Sequence, residues 1–292
     1  MSYWRPSGNA LSSSNSATLG SRGEASDSST NVKDVLHNNR GSHLPLSHQR
    51  QLLPIAQLKR EILYSVESFQ TTILIGETGC GKSTQIPQYL LEAGWAVGDR
   101  CIVCTQPRRI AAMAVATRTA SEMGCTLGEE VGYAIRFDSK CNNNTSIKYC
   151  TDGLLLRETM QDPLLSKYSV VIVDEAHVPS LYTDILLGLL KKIHRRRPDL
   201  RVIIASASLD AQELKDFFET HHKVKDINSA PTEKGESACI LSITGRTHPV
   251  DVLYLEQPTS NYVRTAVTTC IEIHQSLEEW GDILVSDSVD IE

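Results

Sequence analysis

The sequence predicts an α/β domain, a mostly parallel sheet covered by helices on both faces. Five short runs are apolar at nearly every position: TTILI, RCIVCTQP, SIKYCTD, YSVVIVDEAH and LRVIIASAS. A strand between two helical layers buries both faces, so its apolar residues are consecutive rather than alternate. Longer stretches with helical spacing separate these runs, the alternation expected of a doubly wound fold. A glycine-rich segment directly after the first run adds a functional anchor on the sheet.

That segment is GETGCGKST, residues 76–84. Gly76-x-x-x-x-Gly81-Lys82-Ser83 fits the phosphate-binding loop. Its glycines let successive backbone N–H groups point inward at a phosphate chain, which side chains would obstruct. In this reading Gly76, Glu77, Thr78, Gly79, Cys80, Gly81, Lys82, Ser83 and Thr84 hold a nucleotide. Lys82 reaches its β- and γ-phosphates, and the Ser83 hydroxyl holds magnesium. STQIPQYLLEAG leaves the loop as a helix, so a positive helix end also faces the anion. The plainer alternative is an ordinary glycine-rich turn.

The elements follow in order. Residues 1–45 are rich in Ser, Asn and Gly without periodicity and are expected to form a disordered tail. Its mixture of arginines and acids argues against a transit peptide. HQRQLLPIAQLKREILYSVESFQ reads as an amphipathic helix, and the strand and helix alternation then runs to LRVIIASAS. Residues 219–237, polar and punctuated by Gly and Pro, read as a loop. ACILSITGRTHPVDVLYLEQ reads as two strands around a turn, and NYVRTAVTTCIEIHQSLEEW as a helix. GDILV reads as the opening strand of another sheet. The expected organisation is a tail over 1–45, a nucleotide-binding domain over 46–245, and a linker with an incomplete second domain over 246–292.

Composition narrows the function classes. The 292 residues carry a formal charge of −6, so nucleic-acid binding has to be local rather than driven by global charge. Cys101 and Cys104 form a C-x-x-C, but residues three apart on a strand point to opposite faces and cannot share one ion. The eight cysteines read as reduced thiols. No run approaches the roughly 20 apolar residues of a membrane-spanning helix.

YSVVIVDEAH ends a buried strand on two acids, and the carboxyl edge of a parallel sheet is where ligands sit. Asp174 is placed to bind the magnesium held by Ser83. Glu175 can join that metal site, and can orient or deprotonate an attacking water. With Lys82 and His177 these acids form the expected catalytic set. An acid pair after a strand is otherwise a solvated turn.

The ordered set GETGCGKST, TQPRRIAA, TDGLLLRE, DEAH and SAS resembles the DEAH-box RNA helicases of superfamily 2. LLPI, IPQYL, IRFD, DPLL and GRTHPV add matches, so the resemblance runs from about residue 47 to 284. It implies a RecA-like domain that uses ATP and magnesium and binds RNA, with spliceosomal proteins as partners and the nucleus as the favoured compartment. It implies phosphate contacts from Arg108, Arg109 and Arg136, and from Thr151 and Asp152 through hydroxyl and backbone groups. Such contacts position a strand without reading its sequence. Arg118 matches the family's adenine-stacking arginine, the alternative being an exposed helix cation. His177 would couple the nucleotide site to Ser206, Ala207 and Ser208. The basic run KKIHRRRPDLR ends a helix and reads as dipole-complementing surface rather than as an RNA patch.

The pattern also departs from the family. DEAH is followed by Val178-Pro179 where Glu-Arg is usual, with Pro179 expected to be tolerated in the first turn of the helix that follows. Ser-Ala-Ser replaces Ser-Ala-Thr. No Gln-Arg, Gly-Arg-x-Gly-Arg cluster is present, so the chain is expected to be a truncated form ending after the first RecA-like domain, with weak turnover and no unwinding of its own. The alternative to an active helicase is a regulatory module that binds nucleotide and RNA. A P-loop ATPase or kinase outside the helicases fits the later motifs less well.

Overall fold

A computed structural model describes residues 3–4, 44–207, 211–219, 237–245, 252–255, 258–259, 261–276 and 281–286. The chain divides into two compact units, Thr30–His248 and a second made of Met1–Ser29 with Pro249–Glu292. The first unit carries the glycine loop, TQPRR, TDG, DEAH and SAS. Apart from Tyr3–Trp4, the amino-terminal tail up to residue 43 lies outside the described residues.

In chain order the strands are β1 (Tyr3–Trp4), β2 (Thr71–Gly76), β3 (Cys101–Gln106), β4 (Val131–Ile135), β5 (Asp138–Lys140), β6 (Ile147–Thr151), β7 (Tyr168–Val173), β8 (Arg201–Ser206), β9 (Ala238–Ile243) and β10 (Tyr254–Leu255). The helices are α1 (Leu46–Leu52), α2 (Lys59–Ser68), α3 (Lys82–Glu92), α4 (Arg109–Met123), α5 (Asp152–Gln161), α6 (Leu181–His194), α7 (Ala211–Phe218) and α8 (Tyr262–Ser276). Eight strands form one sheet in the order β5-β4-β6-β3-β7-β8-β2-β9. Every pairing in it is parallel except β4 with β5. All five apolar runs are strands of this sheet, and it has the RecA-like α/β architecture.

Consecutive apolar residues serve opposite layers. Leu74, Ile102, Cys104, Val170 and Ile172 pack on one face with α2, α3 and α4. Ile73, Val103, Val171, Val173 and Ile204 pack on the other with α5 and α6, and with Phe218 of α7. Cys104 joins the first cluster and Cys101 the second, so the C-x-x-C sulfurs do face apart. All eight cysteines are free, and burial pushes the Cys101 thiol up to about 12. Among the described residues no cluster of metal-binding side chains occurs, and no helix is long and apolar enough to cross a membrane.

Several expectations are corrected. The helix expected from HQRQ to ESFQ is broken at Leu53, whose ψ of 140° is extended, and a 3-10 turn over Pro54–Leu58 follows. The residue before a proline avoids the helical region, so Pro54 dictates the break. The two strands expected from ACILSITGRTHPVDVLYLEQ do not pair with each other: β9 joins the main sheet beside β2, whereas β10 pairs with β1 in the second unit. GDILV, expected to open another sheet, carries no regular secondary structure over 281–286. Pro179 lies ahead of the N-cap Ser180 rather than in the first turn of α6. The hairpin β4–β5 was not foreseen, because its tip is Arg136-Phe137 rather than a Gly or Asn turn.

Candidate nucleotide and nucleic-acid site

The five motifs converge because parallel strands put all their carboxyl ends on one edge. The glycine loop follows β2, TQPRR follows β3, TDG follows β6, DEAH follows β7 and SAS follows β8. Strand order then sorts them. β8 lies between β7 and β2, so SAS stands between DEAH and the loop, while β3 and β6 lie beyond β7 on its other side. DEAH therefore sits where the nucleotide side of the edge meets the side carrying the arginines.

The loop's glycines answer to steric demands. Gly79 and Gly81 have φ of 83° and 102°, in the region that side chains disfavour. A Cβ on Gly81 would also lie 2.9 Å from Leu53 Cδ1 and 3.0 Å from Ile55 Cγ2. The LLPI segment thus braces the back of the loop, with Ile55 N donating to Cys80 O at 3.3 Å. Lys82 is buried, and its ammonium donates to the carbonyls of Gly76 and Glu77. It is held on the loop's axis with its charge aimed among backbone groups.

α3 opens at Lys82 and contains Pro87, which has no N–H for the carbonyl of Ser83 one turn back. The buried Tyr149 hydroxyl supplies the missing donor, 2.9 Å from Ser83 O, and sits 2.9 Å from Thr119 Oγ1. A side chain of β6 therefore completes the first turn of the helix that carries Ser83. No motif in the sequence points to Tyr149.

Asp174 is 1% exposed. Burial pushes its carboxyl above the ordinary carboxylate range, opposed by hydrogen bonds from Ser83 and Gln106. Gln106 Nε2 donates to Oδ2 at 2.6 Å and the Glu175 N–H to Oδ1 at 3.0 Å. A buried carboxylate joined to Ser83 is a hard oxygen pair of the kind that takes magnesium. Gln106 is a residue that sequence reasoning missed, although it begins the Pro-Arg-Arg loop and ties that loop to Asp174.

Glu175 has a φ of 53°, an uncommon conformation for a residue with a side chain. Its Oε2 lies 3.3 Å from His177 Nε2. His177 Nδ1 accepts the Ala207 N–H at 3.3 Å, so in the neutral ring Nε2 carries the hydrogen and faces Glu175. The contacts Glu175–His177–Ala207 bring DEAH and SAS together. Val178 and Pro179 leave it intact, with Val178 N donating to Glu175 O at 2.9 Å. Ser206 is fully buried and its hydroxyl has no hydrogen-bond partner among the described residues. Ser208 lies outside the described residues.

Arg118 is tethered along two edges. Its Nε donates to Glu122 at 2.7 Å and its Nη2 to Gln49 at 3.2 Å. The buried Glu122 carboxylate also takes Gln85 at 2.7 Å and Gln88 at 2.9 Å, both from the helix that leaves the phosphate loop. Arg118 is thus oriented relative to that loop by a shared anion, which a free surface cation would not be.

Beyond β7 a cleft of about 450 Å³ is lined by Arg109, Arg136, Arg157, Thr151, Ser180 and Tyr182, among others. Arg108 is exposed as the residue before α4. Asp152 is buried, and its carboxylate accepts the Thr183 hydroxyl at 2.9 Å. Arg157 and Tyr182 went unnoticed in the sequence because each lies on a helix face that only the fold turns toward TDG. In KKIHRRRPDLR, Lys192, Arg195 and Arg196 are exposed around the end of α6, as a helix-end surface would have them, whereas Arg197 departs from that expectation: it is buried and donates to the carbonyls of Leu164, Leu165 and Tyr168.

A phosphate loop, an acid pair and an arginine-lined cleft thus share one edge of the sheet. The chain belongs to the DEAD/DEAH box helicase family, whose pattern matches residues 47–217. It is 52% identical over 243 residues to the human protein named probable ATP-dependent RNA helicase DHX35, covering 82% of this chain and 33% of that one. The Caenorhabditis elegans homologue of DHX35 is 52% identical over 250 residues, covering 86% and 33%. The fission yeast pre-mRNA-splicing factor prp22, also named an ATP-dependent RNA helicase, is 47% identical over 242 residues, covering 83% and 19%. The chain therefore spans about a third of the length of the DHX35 proteins that it matches.

Proposed function

We propose that this chain binds ATP with magnesium and single-stranded RNA on neighbouring loops of one sheet edge, and contributes both to an ATP-dependent RNA helicase. The observation that carries this reading is the position of β7, which places DEAH between the phosphate loop and the arginine cleft. The backbone of Gly76–Thr84 cradles the phosphates and Lys82 exchanges its carbonyl partners for the β- and γ-oxygens. Arg118 stacks on the base. Ser83 and Asp174, with Glu175 at the border, would hold magnesium, which when bound would supply positive charge against the phosphates. Glu175, steadied by His177, takes the proton of the attacking water. Gln106 and the His177–Ala207 contact make the state of this site felt at the RNA loop and at SAS.

Arg108, Arg109, Arg136 and Thr151, with the backbone at Asp152, hold RNA phosphates without reading sequence. The names of the relatives support pre-mRNA splicing as the setting, with spliceosomal proteins as partners and the nucleus as the compartment. Equilibrium titration with a fluorescent ATP analogue tests the core of the reading. The native chain binds in a magnesium-dependent way, Lys82→Ala loses at least tenfold, and Glu175→Gln binds but does not hydrolyse. Equal binding by the native chain and Lys82→Ala would overturn it.

A further inference from the structure

Phe137 combines two unfavourable features: at the tip of the β4–β5 hairpin it has a φ of 72° and is 89% exposed. A bulky side chain in the left-handed region is strained, and a ring in water forfeits its burial. Gly or Asn would serve the turn better, so packing within the described unit does not account for it. Strain that persists on a rigid scaffold is a pointer to function.

The hairpin is such a scaffold. Tyr133, Ala134 and Ile135 pair with Lys140, Ser139 and Asp138, and the Tyr133 hydroxyl donates to Asp138 at 2.7 Å. Arg136 links the ring to the cleft, because its guanidinium lies 4.8 Å from the Phe137 centroid and also lines the cleft with Arg109 and Arg157. An exposed aromatic ring beside a row of cations is the arrangement that binds single strands, the cations taking phosphates and the ring a base face.

We propose that Phe137 is a base-stacking contact at the rim of the arginine cleft, adding affinity that depends on the presence of a base but not on its identity. This rests on the RNA reading above. The expected contribution is about tenfold, the lower part of the range for one base stacked on an aromatic ring.

The test is fluorescence anisotropy with the full chain, using a single-stranded oligouridylate and an abasic strand of equal length and charge. The native chain should prefer oligouridylate. Phe137→Asn, which suits the turn and removes the ring, should lose about tenfold on oligouridylate and little on the abasic strand, with a melting temperature no lower than native. Phe137→Trp should restore the preference, and its fluorescence should be quenched by oligouridylate alone. Equal binding of the two strands by the native chain, or equal loss on both in Phe137→Asn, would overturn stacking while leaving the RNA reading intact. Binding of neither strand would overturn both. A Trp signal unaffected by oligouridylate would mean that the ring faces something other than RNA, and would also overturn the proposal.

Discussion

Tyr149→Phe isolates one atom on which the phosphate-loop helix depends. The Tyr149 hydroxyl has one hydrogen; it donates this to Ser83 O and so accepts from Thr119 Oγ1, both at 2.9 Å. Phenylalanine keeps the ring packing and deletes both bonds. The Ser83 carbonyl then has no donor, since Pro87 occupies the position whose N–H would serve it. Thr119, fully buried, loses its acceptor. An uncompensated buried polar group costs about 1–3 kcal/mol. The threonine can partly recover by bonding a carbonyl of its own helix, so a loss of about 2–3 kcal/mol is expected by summing such penalties. At about 2–4 °C per kcal/mol, the melting temperature should fall by roughly 4–12 °C. Urea unfolding and a thermal scan of the native chain and the variant measure it, with Thr119→Val as a control expected to cost about 1 kcal/mol. Pro87→Ala restores an N–H opposite Ser83 and should recover much of the loss in the Tyr149→Phe background. A drop below about 0.5 kcal/mol, within the range of an ordinary surface change, would refute the argument, as would a double variant that shows no recovery.

Two further outcomes follow from the site and the core. Arg108→Ala with Arg109→Ala should weaken RNA binding for every sequence tried, and should flatten the slope of log affinity against log salt by about 1.4 if each arginine neutralises one phosphate of a single strand; an unchanged slope would remove these residues from the contact surface. His194, buried against Phe218 and near Arg201, is lowered by burial to about 4 from 6.5. The unfolded chain then takes up its proton first, so the stability due to the neutral ring is complete above pH 6.5 and is lost as pH falls toward 4, by at most about 3 kcal/mol. Urea midpoints between pH 7 and pH 4.5 should show this slope in the native chain and less of it in His194→Gln; identical slopes would assign the acid sensitivity elsewhere.

Much of the fold is local information and was legible. A doubly buried strand must be apolar at consecutive positions, so TTILI, CIVCT and SVVIV announce themselves, and their shared direction follows from the helical stretches between them. The phosphate loop is legible for the same reason: Gly79 and Gly81 need positive φ, Lys82 needs its place at the start of a helix, and all of this lies within nine residues. The basic run from Lys191 to Arg201 was legible as a charged helix end, but the burial of Arg197 within it was not, because its carbonyl partners Leu164, Leu165 and Tyr168 come from a distant part of the chain.

What only tertiary structure decided is which distant residues complete these local devices. Strand order put β7 between β8 and β3, and no spacing along the chain encodes that order. Tyr149 repairs the carbonyl that Pro87 strands, Gln106 reaches Asp174, and Glu122 takes Gln85 and Gln88 from the loop's own helix; each is a pairing of residues remote in sequence, satisfied by a hydrogen bond that any of several side chains could have made. Phe137 escaped notice because it breaks the turn chemistry by which hairpins are recognised. Periodicity and motif spacing report what a segment needs for itself, whereas the partner of a buried polar group is chosen by packing, and packing exists only once the sheet has formed.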